Sequence, residues 1–247
     1  MHLYGLIGYP LGHSFSAGFF NEKFEREGIA ARYSNYPLEQ ISDFPTLLDR
    51  EPGLSGLNVT VPYKKDIISY VDVLSPVAEA IQAVNTLSFK RYRGRLQIIG
   101  DNTDVIGFRR SLEQYLKPHH KSALVLGTGG SSKAIQYVLT ELGIGFTMVS
   151  RTAGKGRITY SELDGTVVSD APLIINTTPL GMYPDVLTFP PIAYEALGSE
   201  HLLFDLVYNP EKTAFLIKGE RYGARCVNGY DMLIYQALAS WEIWNKK

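Results

Sequence analysis

Four short strings in the first 104 residues hold most of the side chains able to do chemistry there. They are Gly8-Tyr9-Pro10-Leu11-Gly12-His13-Ser14-Phe15-Ser16, Asn58-Val59-Thr60-Val61-Pro62-Tyr63-Lys64, Ala83-Val84-Asn85-Thr86 and Asp101-Asn102-Thr103-Asp104. Amide, hydroxyl, ammonium and carboxylate groups recur in them at the ends of elements. Such an inventory suits a small polyol acid, because every ligand hydroxyl and carboxylate needs a partner once it leaves water. Taken singly, Ser14, Ser16, Thr60 and Thr86 read as caps, and Lys64 and Asp104 as a surface ion pair.

A second inventory starts at Gly127-Thr128-Gly129-Gly130-Ser131-Ser132. The apolar run Ser122 to Leu126 precedes it, and a helix with an apolar face of Ala134, Ile135, Val138, Leu139 and Leu142 follows. Strand, glycine turn and helix in that order suit a pyrophosphate: glycine lets the backbone approach the phosphates, and the exposed N–H groups and helix dipole attract them. Ser132 stands at the third small position of the turn. The next strand, Phe146 to Val149, ends at Ser150-Arg151-Thr152, where an NAD enzyme places an acid on the ribose hydroxyls. No acid is present. Arg151 offers a fork to a 2′-phosphate, Ser150 and Thr152 offer hydroxyls, and Lys155 adds a second charge. The pattern predicts NADP over NAD, with a solvated pair of loop cations as the bland alternative.

The elements that must position these residues alternate. Strands are predicted at Leu3 to Gly8, Arg32 to Tyr36, Gly56 to Val61, Val84 to Lys90 and Leu96 to Gly100, with helices such as Ser16 to Glu27 between them, which is α/β behaviour with mostly parallel strands. A helix is predicted from Asp104 to Tyr115, and the polar stretch Lys117 to Lys121 ends it. Beyond that the pattern restarts as a second domain. Leu173 to Asn176 and Leu202 to Leu206 read as buried parallel strands, each leading into a loop, Asn176 to Met182 and Val207 to Pro210. On the terminal helix, Leu233, Ile234, Ala237, Leu238 and Trp241 make one apolar face that must dock, and the first block is its expected partner.

Composition narrows the function classes. The chain has 247 residues, 24 basic against 25 acidic, and a net charge of -1, with no run of like charges to suggest nucleic acid or a membrane surface. A small-molecule ligand is expected. The single cysteine, Cys226, cannot form an internal disulfide, so it reads as a packing residue in a cytoplasmic protein. No Cys/His spacing suggests zinc. No apolar run approaches the roughly 18 to 20 residues of a membrane span, and Met1 to Gly8 lacks the features of a signal peptide, so the chain is expected to begin at Met1.

Taken together, these strings resemble the shikimate dehydrogenase family. The likeness runs from Gly8 through Asn58 to Lys64, Ala83 to Thr86 and Asp101 to Asp104. It continues with the glycine turn, Ser150 to Thr152, Asn176 to Met182 and the closing Asn228-Gly229-Tyr230-Asp231-Met232-Leu233. It implies two domains: a discontinuous α/β substrate domain of residues 1–104 plus 229–247, and a Rossmann-like NADP-binding domain of residues 105–228, with the C-terminal helix returning to the first. It implies reversible NADPH-dependent reduction of 3-dehydroshikimate to shikimate in aromatic amino acid biosynthesis, by a monomer or homodimer. Lys64 and Asp104 match the catalytic pair. Ser14, Ser16, Thr60, Asn85, Tyr208 and Gln236 match positions contacting substrate carboxylate or hydroxyls, and Asn58 one that holds a loop. Gly127, Gly129, Gly130, Ser131, Ser150, Arg151, Thr152 and Lys155 match the NADP side, with Met182 and Gly229 near the nicotinamide. Ordinary chemistry agrees with the pair: reducing a ketone creates an alkoxide that an ammonium can stabilise and protonate.

The chain departs from the family pattern at Ala17, where proline is common, at Gln82, where glycine is usual, and at Ser150, where asparagine is usual. Gly154 to Thr159 also stands where the family has a full helix. Two other readings stay open: an NAD-dependent quinate/shikimate dehydrogenase, and a non-catalytic regulator that binds the metabolite. The missing acid after the second strand argues against the first, and retention of Lys64 and Asp104 against the second.

Overall fold

In a computed structural model of the chain, the described residues are 1–12, 14–92 and 94–246, Tyr92 by its backbone alone. His13 of the first string lies outside them. The chain forms two compact units, Met1–Thr103 with Ala237–Lys247, and Asp104–Gln236.

In the first unit the order is β1 (His2–Gly8), α1 (Phe15–Arg26), β2 (Ala31–Pro37), α2 (Phe44–Arg50), β3 (Leu54–Val59), β4 (Val73–Leu74), α3 (Pro76–Ile81), β5 (Thr86–Tyr92) and β6 (Arg95–Asp101). They form a six-stranded sheet in the order β2-β1-β3-β5-β6-β4. The sheet keeps the expected predominance of parallel pairing, in β1 with β2 and β3 and in β4 with β6, but is mixed, because β5 runs antiparallel to both β3 and β6. Tyr92 pairs with Arg95, and so short a connection permits only an antiparallel return. Ile7, Leu54, Leu57, Ile67, Val84 and Leu87 form the fully buried centre of one face.

The second unit comprises α4 (Asp104–Glu113), β7 (Ser122–Leu126), α5 (Gly130–Glu141), β8 (Gly145–Ser150), β9 (Arg157–Thr159), α6 (Gly165–Ser169), β10 (Leu173–Asn176), β11 (Leu202–Asp205), α7 (Ala214–Arg221), β12 (Arg225–Val227) and the start of α8 (Tyr230–Asn245). Its sheet runs β12-β11-β10-β7-β8-β9, and every pairing is parallel. Counted within the unit this is the doubly wound order of dinucleotide-binding sheets, with the reversal between β7 and β10. Every residue of β10 and β11 is buried, as expected of strands covered on both faces.

The division between units passes through α8, not ahead of it at residue 229. The first turns of α8 pack on α4 through Gly107, where a Cβ would lie 2.6 Å from Met232 O and 2.9 Å from Gln236 Cβ. From Ala237 onward the helix belongs to the first unit, and there Trp241 and Trp244 contact the ring of Tyr4, with centroids 5.6 and 4.7 Å away.

Candidate active site

Ligands of parallel sheets bind beyond the carboxyl ends of the strands. In the first unit β1 hands over there to residues 8–16 and β3 to residues 60–64. Thr60 N donates to Ile7 O at 2.9 Å and Tyr9 N to Val61 O at 3.1 Å, so the two loops are stitched together. Gly8 is needed for that approach: a Cβ would lie 2.4 Å from Thr60 Cγ2 and 2.9 Å from Val61 O. The antiparallel β5 brings its first residues to the same edge, with Thr86 opposite both Asn58 and Asp101. Val59 N donates to Asn85 O (2.8 Å), Asn85 N to Asp101 O (3.0 Å) and Val84 N to Lys64 O (2.7 Å). Sheet register thus gathers the described residues of these strings that lie in the first unit, up to Thr103, at one edge.

A buried polar network fixes that edge. Asn58 Nδ2 donates to Asn85 O, Thr86 Oγ1 and Ser240 Oγ, and its Oδ1 accepts from the Tyr33 hydroxyl at 2.9 Å. Asn85 Oδ1 accepts from Thr103 N at 2.7 Å, Thr103 Oγ1 at 3.1 Å and Thr86 Oγ1 at 3.0 Å. Thr86, Thr103 and Ser240 have no exposed surface, a depth that hydroxyls tolerate only when hydrogen-bonded. Burial also pushes the Tyr33 phenol well above its ordinary range. The sequence signal for Ser240 is the recurrence of Ala237, Ser240, Trp241 and Trp244 at helical spacing, which marks a buried face but no polar role.

The predicted substrate residues divide between the units. Ser14 caps α1, its Oγ accepting from Ala17 N at 3.4 Å, and Ser16 is buried in the first turn. Thr60 and Lys64 lie in the turn after β3, where Lys64 is half-buried. The neighbouring Tyr63 anchors the turn by donating its hydroxyl to Leu38 O at 2.6 Å. Asp101 and Asn102 are structural: Asp101 Oδ1 accepts from Ser75 Oγ and Asn102 N, and Asn102 Nδ2 donates to Ala83 O. Ser14, Ser16, Thr60, Lys64 and Asn85 thus share one unit. Asp104, Tyr208 and Gln236 belong to the other. Asp104 follows Thr103 directly, is buried and opens α4, the end of a helix where the dipole favours a carboxylate. The Gln236 amide donates to Leu233 O on its own helix.

In the second unit the glycine turn lies at the strand-order reversal. Gly127 has a φ of 106°, a left-handed conformation that favours glycine, and a Cβ there would lie 2.8 Å from Thr177 Oγ1 and 2.9 Å from Thr178 Cγ2. Gly129 and Gly130 are exposed and Ser131 half-buried at the start of α5, while Ser132 is buried with its hydroxyl on Gly129 O. At the end of β8 the Ser150 hydroxyl donates to Thr152 O and accepts from Thr152 N, so it shapes its own turn. Arg151, Thr152 and Lys155 are exposed.

Beyond β10, β11 and β12, three more loops are tied together. Tyr183 N donates to Asn209 O and Gly229 N to Val207 O, which sets the loops of Met182, Tyr208 and Gly229 side by side. Gly229 has no room for a side chain, since a Cβ would lie 2.2 Å from Leu206 O. At the centre is Asp205, fully buried, accepting from Asn176 Nδ2 (2.9 Å), Thr213 Oγ1 (2.6 Å) and Val207 N (3.0 Å). Burial raises its carboxyl to about 6 against the pull of those hydrogen bonds. In the sequence Asp205 is one residue of the buried strand Leu202 to Leu206, and its neighbours mark no role for it.

Residues 6–87 match the family profile of the shikimate dehydrogenase substrate binding domain. A shikimate dehydrogenase (NADP(+)) of Oleidesulfovibrio alaskensis is 38% identical over 254 residues, spanning 98% of this chain and 89% of that protein. Among solved structures, shikimate dehydrogenase from Aquifex aeolicus superposes with a TM-score of 0.87 at 31% identity, covering 99% of this chain and 92% of that one. Shikimate 5-dehydrogenase from Thermus thermophilus, in complex with NADP(H) and shikimate, gives a TM-score of 0.86 at 28% identity, covering 99% and 94%.

Proposed function

The chain belongs to the shikimate dehydrogenase family, and from that membership we propose that it reversibly reduces 3-dehydroshikimate to shikimate with NADPH, in aromatic amino acid biosynthesis. The observation that carries the reading is the gathering of Ser14, Ser16, Thr60, Lys64 and Asn85 at one sheet edge. The first unit is the substrate domain in this reading and the second the cofactor domain.

The second unit suits a dinucleotide. The left-handed Gly127 leaves the backbone bare beside Thr177, the N-terminus of α5 is exposed, and two cations but no acid follow β8. Gly127, Gly129, Gly130 and Ser131 would hold the pyrophosphate, Arg151, Thr152 and Lys155 the 2′-phosphate side, and Met182 and Gly229 the nicotinamide. When bound, NADPH supplies the hydride. Lys64 holds a proton at Nζ and delivers it to the substrate oxygen as negative charge develops there, and its own charge stabilises that oxygen. By the family resemblance, Asp104 would orient the ammonium and share the substrate hydroxyl. Ser14, Ser16, Thr60, Asn85, Tyr208 and Gln236 take up the carboxylate and remaining hydroxyls. The described residues hold no group of His, Cys, Asp and Glu able to bind a metal and no helix long and apolar enough to cross a membrane. We place the protein in the cytoplasm.

The test is an absorbance assay of shikimate oxidation with each nicotinamide cofactor. NADP+ is expected to exceed NAD+ in kcat/KM by about tenfold or more, the value of one lost charge-assisted contact. A preference for NAD+ with quinate would favour the alternative dehydrogenase. Shikimate binding without turnover would make the chain a metabolite-binding regulator.

A further inference from the structure

Parallel neighbours such as β8 and β9 ordinarily need a crossover of about a dozen residues or more, usually with a helix. Only residues 151–156 join these two, and they form turns and bends. The short link suffices because β9 pairs with the last three residues of β8, Met148 with Arg157, Val149 with Ile158 and Ser150 with Thr159. The chain needs to return only two residues' rise, about 7 Å. The segment bearing Arg151, Thr152 and Lys155 is therefore left without a following helix to fix its shape.

Arg157 lies against this segment. Its N donates to Gly154 O at 3.3 Å, closing an isolated antiparallel bridge, and Gly156 makes the reversal at a φ of 72°. Its Nη2 reaches Ala153 O at 3.5 Å. The guanidinium lies over Gly154, where a Cβ would come within 2.4 Å of Nε, 2.5 Å of Nη2 and 2.7 Å of Cζ. Nε is buried and has no hydrogen-bond partner among the described residues. The next acid, Glu162, is engaged by Thr159 N and Oγ1 at 2.8 and 2.7 Å. Among the described residues no ion pair involves Arg151, Lys155 or Arg157.

We infer that Arg157 is a positioning residue for cofactor choice: its guanidinium, laid across Gly154, replaces the absent helix and holds the 151–155 turn so that Arg151 and Lys155 meet the 2′-phosphate. The inference rests on the reading of Arg151 as the 2′-phosphate partner. Calorimetric Kd values for NADP+, NAD+ and adenosine 2′,5′-bisphosphate test it in Arg157→Ala, Gly154→Ala and Arg151→Ala, each checked for an unchanged melting temperature. Arg157→Ala is expected to weaken NADP+ and the bisphosphate about tenfold and NAD+ less than about twofold, with kcat at saturating NADPH within about twofold. Gly154→Ala keeps every charge but displaces the guanidinium, and is expected to match it. The inference fails if NADP+ affinity is unmoved in either variant, or if both cofactors weaken equally. If Arg151→Ala also leaves the NADP+ to NAD+ ratio intact, the reading of this turn as the phosphate site fails with it; a shifted ratio in Arg151→Ala alone sinks only Arg157.

Discussion

Lys64 carries the proton in the proposed reaction, so Lys64→Ala is expected to lower kcat by roughly 10² to 10⁴, the usual contribution of a positioned acid. Shikimate should still bind within about tenfold, because Ser14, Ser16, Thr60 and Asn85 remain; titration calorimetry with shikimate reads this separately from turnover. Asp205 gives a prediction of another kind. Its carboxyl titrates near 3.8 in the unfolded chain and at about 6 when folded, so between those values the folded protein binds the proton more tightly and stability falls as pH rises. The loss is complete above about pH 6 and amounts to about 3 kcal/mol at roughly 1.4 kcal/mol per pKa unit. Asp205→Asn removes this titration, so denaturant unfolding should show the variant gaining on the wild type from pH 4 to pH 7. Parallel profiles would show that Asp205 does not titrate there. Chemistry-bearing residues next to Gly and Pro were legible because type and neighbours suffice to mark them. Asp205 was not, because its burial and three donors come from segments that meet only in the fold.

Among the elements, α3 explains one departure from the family pattern. Gln82 ends this helix in the left-handed region, φ 52° and ψ 48°, where a side chain costs about 1 to 2 kcal/mol and glycine little. Its Nε2 donates to Glu79 O at 2.7 Å, which offsets part of that cost. Gln82→Gly is therefore expected to raise stability by about 0.5 to 1 kcal/mol, read as a higher melting temperature; a lower one would mean that the side-chain hydrogen bond outweighs the strain. Strand existence was legible from short apolar runs, but edges moved. β3 stops at Val59, ahead of the expected Val61, and β5 begins at Thr86, past Val84. The shift leaves Thr60, Val61 and Asn85 outside the strands, in the connections where a ligand site is built. Apolar pattern does not reveal where a ladder ends, because the last hydrogen bond depends on the partner strand.

At the scale of the whole molecule, the first unit is built from both ends of the chain. Both tryptophans, Trp241 and Trp244, lie in the returning segment. Trp244 stacks on Tyr4, donates Nε1 to Leu87 O at 2.9 Å and fills the space over Gly56, where a Cβ would meet it at 2.2 Å. A chain ending at Gln236 is expected to lose the cooperative melting of the first unit by calorimetry; an unchanged transition would show that the C-terminal segment is dispensable. The sequence by itself determined what is local: the alternation of elements and the glycine turn before α5. These follow from periodicity and dihedral preference, which neighbouring residues set. Only the tertiary structure decided that an antiparallel β5 brings Asn85 beside the Lys64 turn, that Ser240 locks Asn58 and Thr86, and that Asp205 is buried beneath three loops. Pairing, register and desolvation depend on which surfaces are buried together, and that choice is made by segments far apart in the chain.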